Sequence, residues 1–161
     1  MKSLIIYYSL EGNSKFISEC INEVLKGDIV RLVPVQDVPK TGFFKKYLVG
    51  GTNAMRKKKP EIEPININFD DYDFIVFGTP VWAGTFAPAF NTFFEKYSNI
   101  KNKNIALFCC HGGGGAAKTF NVFKEHLKGN NILGDIQFKD PLKHETQQMG
   151  NEAKEWIKSL L

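Results

Sequence analysis

Hydrophobic positions in this chain fall into two kinds of run that alternate from end to end. Ser3 to Ser9, Ile29 to Val35, Asp73 to Gly78, Asn104 to Cys110 and Ile132 to Phe138 are short, mostly unbroken apolar runs, the form of strands buried on both faces. Between them the spacing changes to 3.6 residues: Phe16, Ile17, Cys20, Ile21, Val24 and Leu25, then Phe90, Phe93, Phe94 and Tyr97, then Ala116, Phe120, Phe123 and Leu127, and last Met149, Ala153, Trp156, Ile157 and Leu160. Each set makes one apolar stripe on a helix. The punctuation agrees with this division. Asn13 or Ser14 can cap the first helix, Gly27 sits where a left-handed C-cap belongs, Pro88 suits a first helical residue, and Thr146 can cap the last helix. Pro34 and Pro39 interrupt the pattern. After them Thr41 to Pro64 is the least regular segment, with Phe43, Phe44, Tyr47 and Leu48 suggesting a helical turn or two before Gly50-Gly51. A lid, an interface or plain connection would each fit it.

Five strands and about five helices in strict alternation predict an α/β fold: a three-layer, doubly wound, five-stranded parallel sheet with right-handed crossovers. Strand order 2-1-3-4-5 is the natural one for this count, with its switch point between the first and third strands. The 161 residues match one ordinary domain, so a single domain over 1–161 is expected. No repeat or low-complexity tract argues otherwise.

Composition narrows the class further. With 43% hydrophobic and 24% charged residues the chain reads as globular. No stretch approaches the roughly 20 apolar residues of a membrane span, and Glu11, Gly12 and Asn13 follow the first apolar run too soon for a secretory signal. A cytoplasmic protein with no membrane partner is expected. Cys20, Cys109 and Cys110 have neither CxxC nor zinc-like spacing, so reduced thiols and no metal fit best. The net charge of +4 owes part of its value to Arg56, Lys57, Lys58 and Lys59. That run is either a solvated loop or a docking patch for an acidic partner or anionic cosubstrate. Nucleic acid is not expected, because no stacking aromatics are interleaved with the basic residues.

Ligands of such sheets bind beyond the carboxyl ends of the strands near the switch point, which singles out three loops. The first, Ser9-Leu10-Glu11-Gly12-Asn13-Ser14, joins a buried strand to a helix N-terminus. Unpaired amides, the helix dipole and the Ser9 and Ser14 hydroxyls there favour an anion, although an ordinary capped helix start has the same look. One glycine is too few for a dinucleotide fingerprint, and the Lys-Ser/Thr ending of a Walker loop is missing; a monophosphate is the better fit. A receiver domain lacks its acids here, and a small tyrosine phosphatase lacks its first-loop cysteine. The second loop, Thr79-Pro80-Val81-Trp82-Ala83-Gly84-Thr85, puts a large aromatic at the mouth of the sheet. Trp82 can stack on a flat conjugated ring while the backbone of Val81 to Gly84 reads the ring's edge, or it can tuck under the loop as a core residue. The third, Cys110-His111-Gly112-Gly113-Gly114-Gly115, permits close approach of backbone to ligand.

Over nearly its whole length the sequence resembles the flavodoxin family. Ser9, Gly12, Asn13 and Ser14 match that family's phosphate loop, and the strand ending GTPVWAG resembles its first flavin loop. The resemblance implies a flavodoxin-like fold holding one FMN. Ser9, Leu10, Glu11, Gly12, Asn13 and Ser14 would bind the phosphate, and Thr79, Pro80, Val81, Trp82, Ala83 and Gly84 would flank the isoalloxazine. Cys110, His111, Gly112, Gly113 and Gly115 would contact its pyrimidine edge. Electron transfer with a redox partner protein or a small donor or acceptor follows, as monomer or homodimer. No covalent catalyst is expected, since Cys110 has no neighbouring base.

Three features depart from the family. Glu11 stands where a hydroxyl residue is usual, so it should face solvent, with Lys15 available to offset it. The chain is basic where flavodoxins are acidic. Its third loop has no aromatic to cover the outer ring face, and an open face would suit a small NAD(P)H-dependent FMN or quinone reductase, the alternative to a carrier. A flavin-free binding module is a third reading. His111 is the loops' one imidazole, placed either to tune the flavin near neutral pH or to sit in solvent without a role.

Overall fold

A computed structural model of the chain describes residues 1–37 and 57–161. Its elements run β1 (Ser3–Tyr7), α1 (Asn13–Leu25), β2 (Asp28–Arg31), a 3-10 turn (Phe69–Asp71), β3 (Phe74–Pro80), α2 (Ala89–Lys96), β4 (Asn104–His111), α3 (Ala117–His126), β5 (Asn131–Lys139) and α4 (Thr146–Lys158). The five strands form one parallel sheet in the order β2-β1-β3-β4-β5. That is the predicted order. Four α-helices are present among the described residues. The turns expected around Phe43 and Tyr47, with Gly50, Gly51 and Arg56, lie outside the described residues.

Alternation along the three central strands sorts the core into two layers. Leu4, Ile6, Ile75, Phe77, Ile105 and Leu107 face one way and pack with Phe90 and Phe93 of α2 and Phe120 and Phe123 of α3. Ile5, Tyr7, Phe74, Val76, Ala106 and Phe108 face the other way, onto Ile17 and Ile21 of α1 and Ala153 and Ile157 of α4. Helices on both faces of a parallel sheet make the three-layer, doubly wound arrangement. The first layer is dense in aromatics: among Phe77, Phe86, Phe90, Phe94 and Phe123, contacting rings have centroids 5.0–6.3 Å apart. Gly78 shows how tightly the second layer is filled, because a Cβ there would lie 1.9 Å from Phe108 Cζ.

The edges and helix ends differ from expectation. β2 is largely exposed, and β5 is exposed or half-buried except at Phe138, since an edge strand lacks a neighbour and full helix cover on one side. β2 also stops at Arg31, short of the expected Val35, because Pro34 has no N–H for the ladder. Pro34 instead sits in an isolated antiparallel bridge with Ile62. Neither Asn13 nor Ser14 caps α1; Gly12 does, at φ 99°. Lys26, not Gly27, takes the left-handed C-cap at φ 51°. Gly27 is needed for another reason, since a Cβ there would meet the Ser3 carbonyl oxygen at 2.3 Å. Pro88 is the N-cap of α2 rather than its first residue, and Thr146 is the first residue of α4, behind Glu145 at φ 48°.

Candidate functional site

The sheet order sets β1, β3 and β4 side by side, so the three loops singled out by sequence leave neighbouring strand ends. Two backbone bonds tie their bases together: Tyr8 N–H donates to the Gly78 carbonyl at 3.1 Å, and Val81 N–H to the Cys110 carbonyl at 2.8 Å.

In the first loop Ser9 is buried, its Oγ accepts from the Gly12 amide at 3.2 Å, and Leu10 turns its side chain into the aromatic layer. Glu11 points to solvent, as its charge demands. Gly12 closes the turn in the left-handed region, and its carbonyl takes the first helical bond from Phe16 at 2.9 Å. The amides of Asn13, Ser14 and Lys15 then open α1 with no acceptor among the described residues, the ordinary condition of a helix start. Ser14 adds an unusual feature. Its side chain is buried, and its Oγ has no hydrogen-bond partner among the described residues. The Cys110 thiol feels that hydroxyl, which draws its pKa down, but the two make no contact of hydrogen-bond geometry; burial dominates and pushes the thiol up to about 12. Asn13 is committed elsewhere, its Oδ1 accepting from Leu142 N–H at 3.0 Å.

The second loop is a two-residue turn. Trp82 and Thr85 exchange backbone hydrogen bonds of 2.9 and 3.0 Å, and the residues between them, Ala83 and Gly84, have φ of 52° and 73°. Positive φ at both central positions is the requirement of a type I′ turn. For Ala83 that conformation costs about 1 kcal/mol, which the paired turn bonds offset. Thr79 fixes the loop's base: its Oγ1 donates to the Pro80 carbonyl and accepts from Ala87 N–H, both at 3.0 Å. Pro80 and Val81 are half-buried. Trp82 is 4% exposed and meets Tyr8 edge-on, with centroids 5.3 Å apart and an interplanar angle of 83°.

The third loop is open. Gly112, Gly113 and Gly114 are exposed, and a Cβ at Gly113 or Gly114 would have nothing within 4 Å. His111 organises the chain from below. Its Nδ1 accepts from the amides of Gly113 at 3.1 Å and Gly115 at 3.4 Å, so Nδ1 carries no proton in this arrangement. Burial lowers the His111 pKa, with Asp140 pulling it upward and Lys139 downward. Cys109 and Cys110 lie beneath, buried, and burial raises both thiols, so neither is a nucleophile near neutral pH.

Two flanking pieces escaped sequence reasoning. The turn after β5 folds over the first and third loops through Leu142 N–H to Asn13 and Asp140 N–H to the His111 carbonyl at 3.0 Å. Arg31, at the end of β2, donates from an Nη to the Ser9 carbonyl at 2.8 Å. Strand order sets β2 beside β1, but nothing in the residue pattern of the exposed edge strand marks Arg31. Among the described residues no group of three or more His, Cys, Asp or Glu could hold a metal, and no helix is long and apolar enough to cross a membrane.

A family model described as Flavodoxin matches residues 2–160. Among solved structures, a flavoprotein in complex with FMN from Lactobacillus acidophilus NCFM is 27% identical, with a TM-score of 0.67 over 84% of this chain and 92% of its own. Oxidised flavodoxin 2 from Bacillus cereus is 18% identical, with a TM-score of 0.63 over 99% and 97%. Two-electron reduced flavodoxin from Megasphaera elsdenii is 18% identical, with a TM-score of 0.57 over 95% and 98%. At 18% identity the last two bear on the fold.

Proposed function

Because this chain belongs to the flavodoxin family, we propose that it holds one FMN and works as an electron carrier. The carrying observation is the Ser14 hydroxyl, buried and without a partner among the described residues, beside three amides at the start of α1 that have no acceptor among those residues. An unsatisfied buried hydroxyl is destabilising unless something bonds to it. A terminal phosphoryl group is the ligand whose oxygens suit a hydroxyl and helix-end amides together. The site therefore fits the phosphate of FMN, held by Ser9 to Ser14.

Bound FMN supplies the redox chemistry, accepting and returning electrons. The chain's own residues position it. The Thr79 to Gly84 turn offers backbone N–H and C=O groups at one edge of the ring system, and the glycines beyond His111 let the backbone approach its pyrimidine side. His111 Nδ1 holds that second segment in shape. A redox protein of acidic surface is the partner that suits the net charge of +4, and the cytoplasm is the compartment that suits three free thiols.

One observation favours the second reading, a small NAD(P)H-dependent reductase: the open space over Gly113 and Gly114 leaves room for a hydride donor. Mixing the FMN-loaded protein with NADPH without oxygen decides between them. A carrier keeps its flavin absorbance until a partner protein is added, whereas rapid bleaching by NADPH alone establishes the reductase. Failure of the apoprotein to bind FMN at micromolar concentration would remove both.

A further inference from the structure

Glu11 puts a carboxylate into the first loop itself, where a phosphate dianion would meet like charge. Lys15, the nearest cation in sequence, does not cancel it, because its ammonium pairs with Glu19 one helical turn on. The pair leaves the loop's net charge at that of Glu11. Arg31 stands there instead. It is paired in register with Tyr7, so the sheet carries it alongside the point where β1 runs into the loop. Its Nη donates to the carbonyl of Ser9, the loop's first residue.

No described carboxylate forms an ion pair with Arg31, and the sequence 38–56 contains no Asp or Glu. A guanidinium has five N–H donors, and a backbone carbonyl occupies one. The charge is also felt locally: Arg31 pulls the pKa values of Tyr7, Tyr8 and Lys15 downward against larger opposing influences. Arg31 is thus an exposed cation without a counter-ion, anchored to the loop whose Glu11 has no ion pair among the described residues.

We propose that Arg31 is a positioning residue that fits this loop to a phosphate dianion, anchoring Ser9 through its carbonyl and offsetting Glu11, so that the site selects phosphorylated over unphosphorylated flavin. The inference rests on the FMN reading. It assigns discrimination between FMN and riboflavin to a residue outside the loop, on the neighbouring strand.

The test is titration of apoprotein with FMN and with riboflavin, followed by quenching of flavin fluorescence at low and high salt. Arg31→Gln should weaken FMN by about threefold to tenfold, as expected for a partly solvated charge, with riboflavin unchanged. It should also flatten the salt dependence of FMN affinity. Arg31→Lys should restore most of the FMN preference, and Glu11→Gln should move it the opposite way, tightening FMN alone. An equal loss for both flavins in Arg31→Gln, or an unchanged ratio in both Arg31→Gln and Glu11→Gln, overturns the proposal. A wild-type protein that binds neither flavin overturns the FMN reading itself. One that binds both flavins equally and without salt dependence overturns only the role of Arg31.

Discussion

Replacing Ser14 by Ala should make the ligand-free protein more stable and the FMN-loaded protein less so. The Ser14 side chain is buried and its Oγ has no partner among the described residues, a condition that costs about 1–3 kcal/mol. Removing the hydroxyl relieves that cost and leaves little empty volume, so a gain of about 1 kcal/mol is expected. For a chain of this size that raises the melting temperature by about 2–4 °C. With FMN the sign reverses, since a hydroxyl bonded to a charged phosphate contributes about 1.5–3 kcal/mol. Its loss weakens FMN by about tenfold or more, and the stabilisation conferred by excess ligand falls with it. Thr119→Val is the control, because Thr119 Oγ1 is the other buried hydroxyl without a partner among the described residues. It should stabilise the protein with or without flavin. Melting curves of both variants, with and without saturating FMN, give the answer. If Ser14→Ala leaves the ligand-free melting point unchanged or lowers it while FMN affinity holds, Ser14 is an ordinary helix residue and the phosphate assignment fails.

Gly84→Ala places a Cβ at φ 73° in a turn whose other central residue is already at φ 52°. A cost of about 1 kcal/mol and a less stable first reduction step of bound FMN are expected, and an anaerobic redox titration with an unmoved first step would refute the turn's role. At Gly78 the added Cβ would stand 1.9 Å from Phe108 Cζ. Gly78→Ala should therefore destabilise by about 3 kcal/mol or more in urea unfolding, and Phe108→Leu should recover part of the loss; additive effects would show that the two do not compete for space. His111 and His126 both have pKa values lowered from 6.5, chiefly by burial. The folded state then disfavours their protonation, so stability is full above the unfolded value of about 6.5 and is lost as pH falls through the depressed folded values. Melting points at pH 7.5 and pH 5.5 should differ less in His111→Gln than in wild type, and an equal difference would remove His111 from the account.

The sheet and its order were legible because the central strands, buried on both faces, can be written only as continuous apolar runs, and the helices between them only as 3.6-residue stripes. Arg31 was illegible for the opposite reason. Edge strand β2, Asp28–Arg31, is short and largely exposed, so its pattern carries no burial signal, and the partner of its last residue is a main-chain carbonyl that could belong to any residue. Caps failed similarly. Asn13, Ser14 and Thr146 have side chains able to cap, but the backbone turned one residue earlier, through Gly12 and Glu145 in the left-handed region. The first loop was singled out from residue types. That Ser14 would be buried without a bond, and that Lys15 would be spoken for by Glu19, are facts of packing that spacing alone does not contain.

Under the proposed FMN reading the three loops divide the work, and the division follows from their backbones. The first is shaped by hydrogen bonds that end inside it, Gly12 on Ser9 and Phe16 on Gly12, leaving amides and one hydroxyl without partners among the described residues. A helix dipole contributes about 1 kcal/mol there, so the phosphate affinity proposed for this loop has to come from several convergent donors. The second and third loops each hold bonds that fix their shape. The Trp82–Thr85 pair closes one, and His111 Nδ1 satisfies two amides of the other. Groups already bonded add little affinity but set which dipoles face a ring, and through them the ease of adding an electron. Substitutions in the first loop should therefore move the dissociation constant and leave potentials nearly fixed, whereas substitutions at Gly84 or His111 should move potentials and leave phosphate-dependent binding nearly fixed. A single variant at Ser14 that shifted the potential as much as the affinity would break that separation.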